Sequence, residues 1–340
     1  MRTLHQTLID LSMGVGCLLL FTSNSAMAAT VDQLVAEMSQ RIEIITVSEK
    51  SNQVIPRFNQ AKSLGCFEAE FEVKDNLSTE LKQGVFATPK TYSAQLRFAN
   101  ASTQDDSKKD LRGLSIKLRG VKGKSLWGED GQQDFILNSY PALFVATPEE
   151  FLEFIEARQK GKEMSFFINP FNPHFKSAWI LFQARKEHNS PFDIRYWSTT
   201  ASKLGENGAE VKYSMIPCSQ YQTTATVEPG KNQLRAAMKA HLNETPGCFE
   251  FAIQLRTQPD SMPIEDASEV WDEAESAFQT VARVTFKQQN FDTESALANC
   301  EKLSFNPWQS LSEHEPLGKM NEVRREIYSK ASLLRNSEGP

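Results

Sequence analysis

The stretch CFEAEFEV, residues 66–73, sets the fold: Phe67, Ala69, Phe71 and Val73 alternate with three glutamates. A period of two sends one set of side chains to an apolar face and the other to water, the signature of a half-buried strand. Working outward, the same regime continues in TYSAQLRFAN (91–100), LSIKLRGV (114–121) and QDFILNSYPALFV (133–145). It resumes in DIRYWSTT (193–200), AEVKYSMIP (209–217), CFEFAIQLRT (248–257) and FQTVARVTF (278–286), each bounded by Gly, Pro, Asn or Asp. Eight such strands predict a closed antiparallel barrel or a sandwich.

Helical periodicity frames and interrupts the strands. From Thr30 to about Ser48, apolar residues at Val31, Leu34, Val35, Met38, Ile42 and Ile45 share one face, and Thr30 with Gln33 has capping-box spacing. Further helices are expected over Pro148–Gly161, around Gly230–Leu242, and over Pro316–Arg335. The last has Met320, Val323, Ile327, Ala331 and Leu334 on its apolar side. No internal repeat or low-complexity tract appears.

The first 28 residues read as an export signal, with Arg2, an apolar run from Met13 to Phe21, and Ala26-Met27-Ala28 as a cleavage site. This predicts a periplasmic or secreted protein with no stable membrane insertion. Residues 29–50 then form an N-terminal helix, 51–290 a barrel core, and 291–340 a wrapping segment with a C-terminal helix. The chain has 37 basic and 43 acidic residues, a net charge of -6, and so carries no electrostatic footprint for nucleic acid. Beyond the signal, Cys66, Cys218, Cys248 and Cys300 allow three disulfide connectivities, which spacing leaves open. No CxxC pair suggests zinc.

One constellation carries chemistry. In PLGKMNEVRREIYSKASLLR, Arg324 and Tyr328 are four residues apart and Arg335 follows seven later, along one side of the expected helix. Upstream, Arg57-Phe58-Asn59-Gln60-Ala61-Lys62 leads into the first strand. Arg97-Phe98-Ala99 and Asp110-Leu111-Arg112-Gly113 form a second block, and Asn138-Ser139-Tyr140-Pro141 with Phe144 and Phe151 a third. In these four ordered blocks the chain resembles the monofunctional haem catalases, particularly their small bacterial catalase-related branch, from about Arg57 to Arg335. The resemblance implies an α+β, catalase-like antiparallel eight-stranded β-barrel with peripheral helices.

The resemblance also implies haem b, with Tyr328 as the axial iron ligand beside Arg324. A phenol ordinarily ionises near pH 10, so it serves iron as phenolate only where the metal and a nearby cation stabilise the anion. Arg57, Arg97 and Arg335 match the positions that pair with the propionates, and Phe144 and Phe151 those packing on the distal side. Asn138 and Gln60 are the expected catalytic residues. Here the chain departs from the family pattern: Gln60 stands where R-x-x-H-x-K has histidine, and Ala99 where R-F-S has serine. An amide orients a peroxide but does not titrate, and loss of a general base commonly costs about 100- to 10,000-fold. His174, His188, His241 and His314 fall outside the matched blocks and read as surface or loop residues.

The expected activity is therefore on hydrogen peroxide or organic hydroperoxides, as a weak catalase or peroxidase in oxidative-stress defence. The alternative is a non-catalytic haem-binding or sensing protein on the same fold. The oligomeric state is not legible.

Overall fold

The computed structural model describes residues 29–337, apart from 52, 53 and 207. The expected export signal lies outside the described residues. Helix α1 (Val31–Ser48) carries the anticipated capping box, with Thr30 and Gln33 each bonding the other's backbone N–H.

The strands follow in order: β1 (Lys62–Val73), β2 (Thr91–Asn100), β3 (Arg112–Arg119), β4 (Gln132–Asn138), β5 (Tyr196–Trp197), β6 (Ser202–Leu204), β7 (Ala209–Pro217), β8 (Gly247–Leu255) and β9 (Gln279–Phe286). All pairings are antiparallel, in the order β5-β4-β3-β2-β1-β9-β8-β7, and β5 closes the ring on β7. Short β6 pairs with the same edge of β7 farther along, so β5 and β6 are two pieces of one interrupted strand. The barrel therefore has eight walls, and closure leaves it no free edge.

Alternation fills its interior. Phe67, Phe71, Phe98, Phe249, Phe251 and Phe286 are almost wholly buried. Their rings meet neighbours at centroid separations such as 4.5 Å for Phe67–Phe291 and 5.2 Å for Phe71–Phe251. Each buried phenylalanine stabilises the fold by about 1.5–3 kcal/mol.

Two expected strands end early. The apolar run after Asn138 does not extend β4 to Val145, because Pro141 lacks the N–H a ladder needs. Instead Leu143 N–H bonds Ala267 C=O, and Val145 is buried beneath helix α2 (Pro148–Gln159). Likewise 193–200 contributes only β5, since the Ser198 hydroxyl accepts the Tyr213 N–H and turns the chain.

Helices α3 (Glu163–Ile168), α4 (Phe175–Ala184), α5 (Gln233–Glu244) and α6 (Glu294–Lys302) follow, with α7 (Lys319–Ser337) last. Of these, α3, α4 and α6 were not expected. Helices α1, α2 and α7 pack together on the outside of β2–β4 through Leu34, Val35, Met38, Ile42, Ile155 and Val323. Disulfides join Cys66 to Cys300 and Cys218 to Cys248, one of the three arrangements open to the sequence. Among the described residues no helix is long and apolar enough to cross a membrane.

Candidate functional site

Outside the barrel wall, between β2–β4 and helices α1, α2 and α7, lies a cavity with about 1030 Å³ free of protein atoms, part of it open to solvent. Strand register builds its floor. Arg97, Ser115 and Ile136 are mutual partners on β2, β3 and β4, so their side chains form one outward row. Two residues along, Ala99, Gly113 and Asn138 form the next. The intervening Phe98, Leu114 and Leu137 fill the barrel, which is how one strand serves core and site together.

Gln60 covers the second row. It is the only described non-glycine residue with positive φ, at 56°, a left-handed conformation seldom used by glutamine and often found at functional sites. Its backbone is held twice: its N–H bonds Ala101 C=O at 2.9 Å, and its C=O accepts from Arg97 Nη2 at 3.0 Å. The amide lies where a side chain on residue 113 would be, since a Cβ there would meet Gln60 Cδ at 2.3 Å. Ser115 Oγ reaches Gln60 Oε1 at 3.5 Å. Gly113→Ala is expected to displace the amide and destabilise the fold by about 1–3 kcal/mol, as overpacking does; denaturant melting would check it.

At one end of the cavity three arginines converge. Arg57 Nε and Arg97 Nη2 each stand 3.3 Å from a carboxylate oxygen of Glu301. Arg57 Nη2 also donates to Leu303 C=O at 2.5 Å, and Arg335 Nη2 to the same carbonyl at 3.0 Å. Glu301 is the one carboxylate paired with any of them among the described residues, so the charge is incompletely balanced. Burial, then repulsion from Arg97 and Arg335, pulls the Arg57 guanidinium well below its usual range, with Glu301 opposing. Burial brings Arg335 down to about 10. The Nε atoms of Arg97 and Arg335 are buried without a hydrogen-bond partner. Unpaired buried donors and surplus positive charge fit a ligand carrying carboxylates.

Helix α7 supplies the opposite wall. Its Ile327, Ala331 and Leu334 are only half-buried because they face the cavity instead of protein. Tyr328 also lines it, and Arg324 Nη2 donates to the phenol oxygen at 3.3 Å. The other arm of Arg324 is fixed by Thr200 Oγ1 at 3.0 Å and Asn321 Oδ1 at 2.9 Å. Buried Asn321 is anchored in turn through Ala201 C=O and Leu317 C=O.

Phe305 reaches the cavity because its neighbour is tethered: Asn306 N–H bonds Asp134 Oδ2 at 3.0 Å, and its amide bonds Arg325 C=O at 2.9 Å. Asp134 also pairs with Lys117 at 2.7 Å, although burial outweighs that ammonium and pushes its carboxyl up to about 6.

Of the residues expected at the site, Arg57, Gln60, Arg97, Phe151, Arg324, Tyr328 and Arg335 all line one cavity. Two do not. Phe144 lies behind Phe151, edge-to-face at 6.3 Å. Asn138 ends β4 opposite Trp197, in the row Gln60 covers, but is not on the cavity wall.

The histidines differ from expectation. His174, His241 and His314 are buried, and His314 is held between Val85 N–H and the Tyr213 hydroxyl. Burial drops it to about 3, and His188 to about 4. None of the four lines the cavity.

Sequence reasoning did not find Glu301, Ser115, Thr200 or Asn321. Only Asn321 had a local signal, its spacing of three before Arg324 on a helix.

The architecture is that of the catalases. A fungal catalase superposes with a TM-score of 0.63 at 16% identity, over 86% of this chain and 61% of that one. A bacterial catalase gives 0.62 at 13%, over 98% and 68%. Catalase A from Saccharomyces cerevisiae gives 0.62 at 16%, over 98% and 68%. No curated protein sequence matches. The family model described as Catalase matches residues 19–186, just under half of the chain. The chain spans about 61% of the length of the fungal relative.

Proposed function

We propose that this protein holds haem in the α1–α7 cavity and acts on hydroperoxides, with organic hydroperoxides favoured over hydrogen peroxide. The observation carrying this is one pocket with an arginine-supported phenol on one helix and three incompletely neutralised arginines at its end.

Arg57, Arg97 and Arg335 would pair with the propionates, and Tyr328 would be the protein ligand to iron. Bound haem would supply redox-active ferric iron where a peroxide O–O bond breaks. Met38, Ile42, Phe151, Ile327 and Leu334 keep the surroundings apolar, which suits an organic substrate and excludes water. Arg324 donates from Nη2 to the Tyr328 oxygen and holds the phenol in place on the cavity wall. On the distal side, the Gln60 amide donates and accepts hydrogen bonds, so it can orient a peroxide. It moves no proton between the two oxygens, and Ala99 adds no hydroxyl.

That last feature favours one other reading, a haem carrier or sensor with negligible turnover. Supplying haem to the purified protein, recording its spectrum, and comparing turnover of hydrogen peroxide and cumene hydroperoxide separates the two. Cumene hydroperoxide turnover with little hydrogen peroxide turnover is the expected result; a normal haem spectrum without turnover of either substrate would favour the carrier, and a colourless protein would end both.

Arg335→Ala is expected to weaken haem retention at least about tenfold, because truncating one partner of a buried, hydrogen-bonded charge pair costs about 2–5 kcal/mol, much of it from the charge left unpaired. Equilibrium transfer of haem to apomyoglobin would measure it. Residues 1–28 as an export signal would place the protein in the periplasm or outside the cell, where the two disulfides persist.

A further inference from the structure

The least explained surface of the molecule is the hairpin formed by α3, the loop 169–174 and α4. Met164, Ile168, Phe175, Trp179 and Phe182 are 60–73% exposed, and Phe171 is 96% exposed at the loop tip between Pro170 and Pro173. On α4 the three aromatics recur at i, i+4 and i+7, one face of the helix, and the Trp179 and Phe182 rings stack at 5.9 Å. Soluble surfaces seldom gather so many large apolar side chains in one place.

The hairpin is held firmly from behind. Phe166 and Phe167 are buried, Phe166 stacks on His174 at 4.0 Å, and both pack on Phe154 of α2. The exposed residues are therefore presented by a fixed scaffold.

Charge identifies the occupant. From Lys160 to Lys186 the chain has five basic residues against the single acid Glu163, although the whole protein is at -6. Lys176 is neutralised by Asp266 and Glu269. Lys160, Lys162, Arg185 and Lys186 have no carboxylate partner among the described residues. In the chain these cations bracket the exposed aromatics, Lys160 and Lys162 before them and Arg185 and Lys186 after, while the nearby Glu153 carboxylate is engaged by Asn172 and His174; aromatics bracketed by cations match the boundary between acyl chains and anionic headgroups. A symmetric contact with a second copy would set this basic segment against itself. We infer that the α3–α4 hairpin docks the protein reversibly on anionic lipid bilayers, with Phe171, Phe175, Trp179 and Phe182 entering the headgroup boundary.

The inference is independent of haem. Its test is co-sedimentation of the protein with phosphatidylglycerol-containing vesicles and with pure phosphatidylcholine vesicles, at low and high salt. Binding is expected to be at least fivefold tighter to the anionic vesicles and to weaken with salt.

The combined variant Phe171→Ser, Phe175→Ser, Phe182→Ser should reduce binding at least tenfold with unchanged melting temperature. A second variant, Lys160→Gln with Lys162→Gln, should remove much of the preference for anionic lipid while leaving the apolar face intact. Loss on changing the hairpin also separates its effect from any contribution of Met13–Phe21. Three results would overturn the proposal: no vesicle binding, equal binding by both variants and the parent, or a dimer in sedimentation equilibrium that the Ser variant dissociates.

Discussion

Tyr328→Phe is expected to shift the haem spectrum and lower haem retention at least about tenfold, while leaving the fold nearly unchanged. The phenol oxygen is the one atom removed. It stands on the cavity wall and accepts from Arg324 Nη2 at 3.3 Å. Arg324 keeps Thr200 and Asn321 as acceptors, so no buried cation is stranded and the stability cost should be about 0.5–1.5 kcal/mol. The effect on haem would be larger because the proposed iron ligand, a phenol oxygen, is exchanged for a ring edge that cannot bind iron. Absorption titration of the variant with haem measures it. An unchanged spectrum would place the axial ligand elsewhere.

Gln60→His combined with Ala99→Ser should raise hydrogen peroxide disproportionation at least about tenfold, measured as oxygen evolution by haem-loaded protein. Imidazole ionises close to neutrality and can take a proton from one peroxide oxygen and return it to the other, which an amide cannot do. The backbone suits the change: residue 60 sits at φ 56°, a region where histidine is more at home than glutamine. The side chain would lie over Gly113, where there is no Cβ to obstruct it. Serine at 99 would share the outward row with Gly113 and could accept the far ring N–H, fixing the tautomer. No gain in a haem-loaded double variant would mean that something other than the missing base limits the reaction.

The histidines show why local text misleads. His314 lies in a polar stretch that reads as a loop, but it ends the 3₁₀ turn Ser312–His314, whose packing places the ring between Val85 N–H and the Tyr213 hydroxyl. Burial is a property of what folds over a residue, and nothing near position 314 in the sequence records that. Phe144 and Phe151 enter together through the family resemblance, and the structure sets them apart: the chain turns after Pro141 so that Phe151 lines the cavity and Phe144 packs behind it.

Glu301 is the instructive omission. It lies more than 200 residues from both arginines it pairs with, brought there by α6, which the Cys66–Cys300 disulfide ties to β1. Cys66 is the register partner of Arg97, so the covalent link and the ion pair fix the same corner of the site.

Strand existence and the helical faces were legible in the text of the chain, because alternation, turn chemistry and helical spacing are short-range and survive in any chain that buries one face; the residues expected around the cavity came from the family pattern. The sequence also held Tyr328 and Arg324 on one helical side before any tertiary contact existed. The tertiary structure alone decided how β5 and β6 share one barrel position, which cysteines joined, which aromatic reached the cavity, and that one carboxylate faces three arginines. These depend on contacts between residues far apart in the chain, whose energies are comparable among many arrangements until the closed sheet selects one.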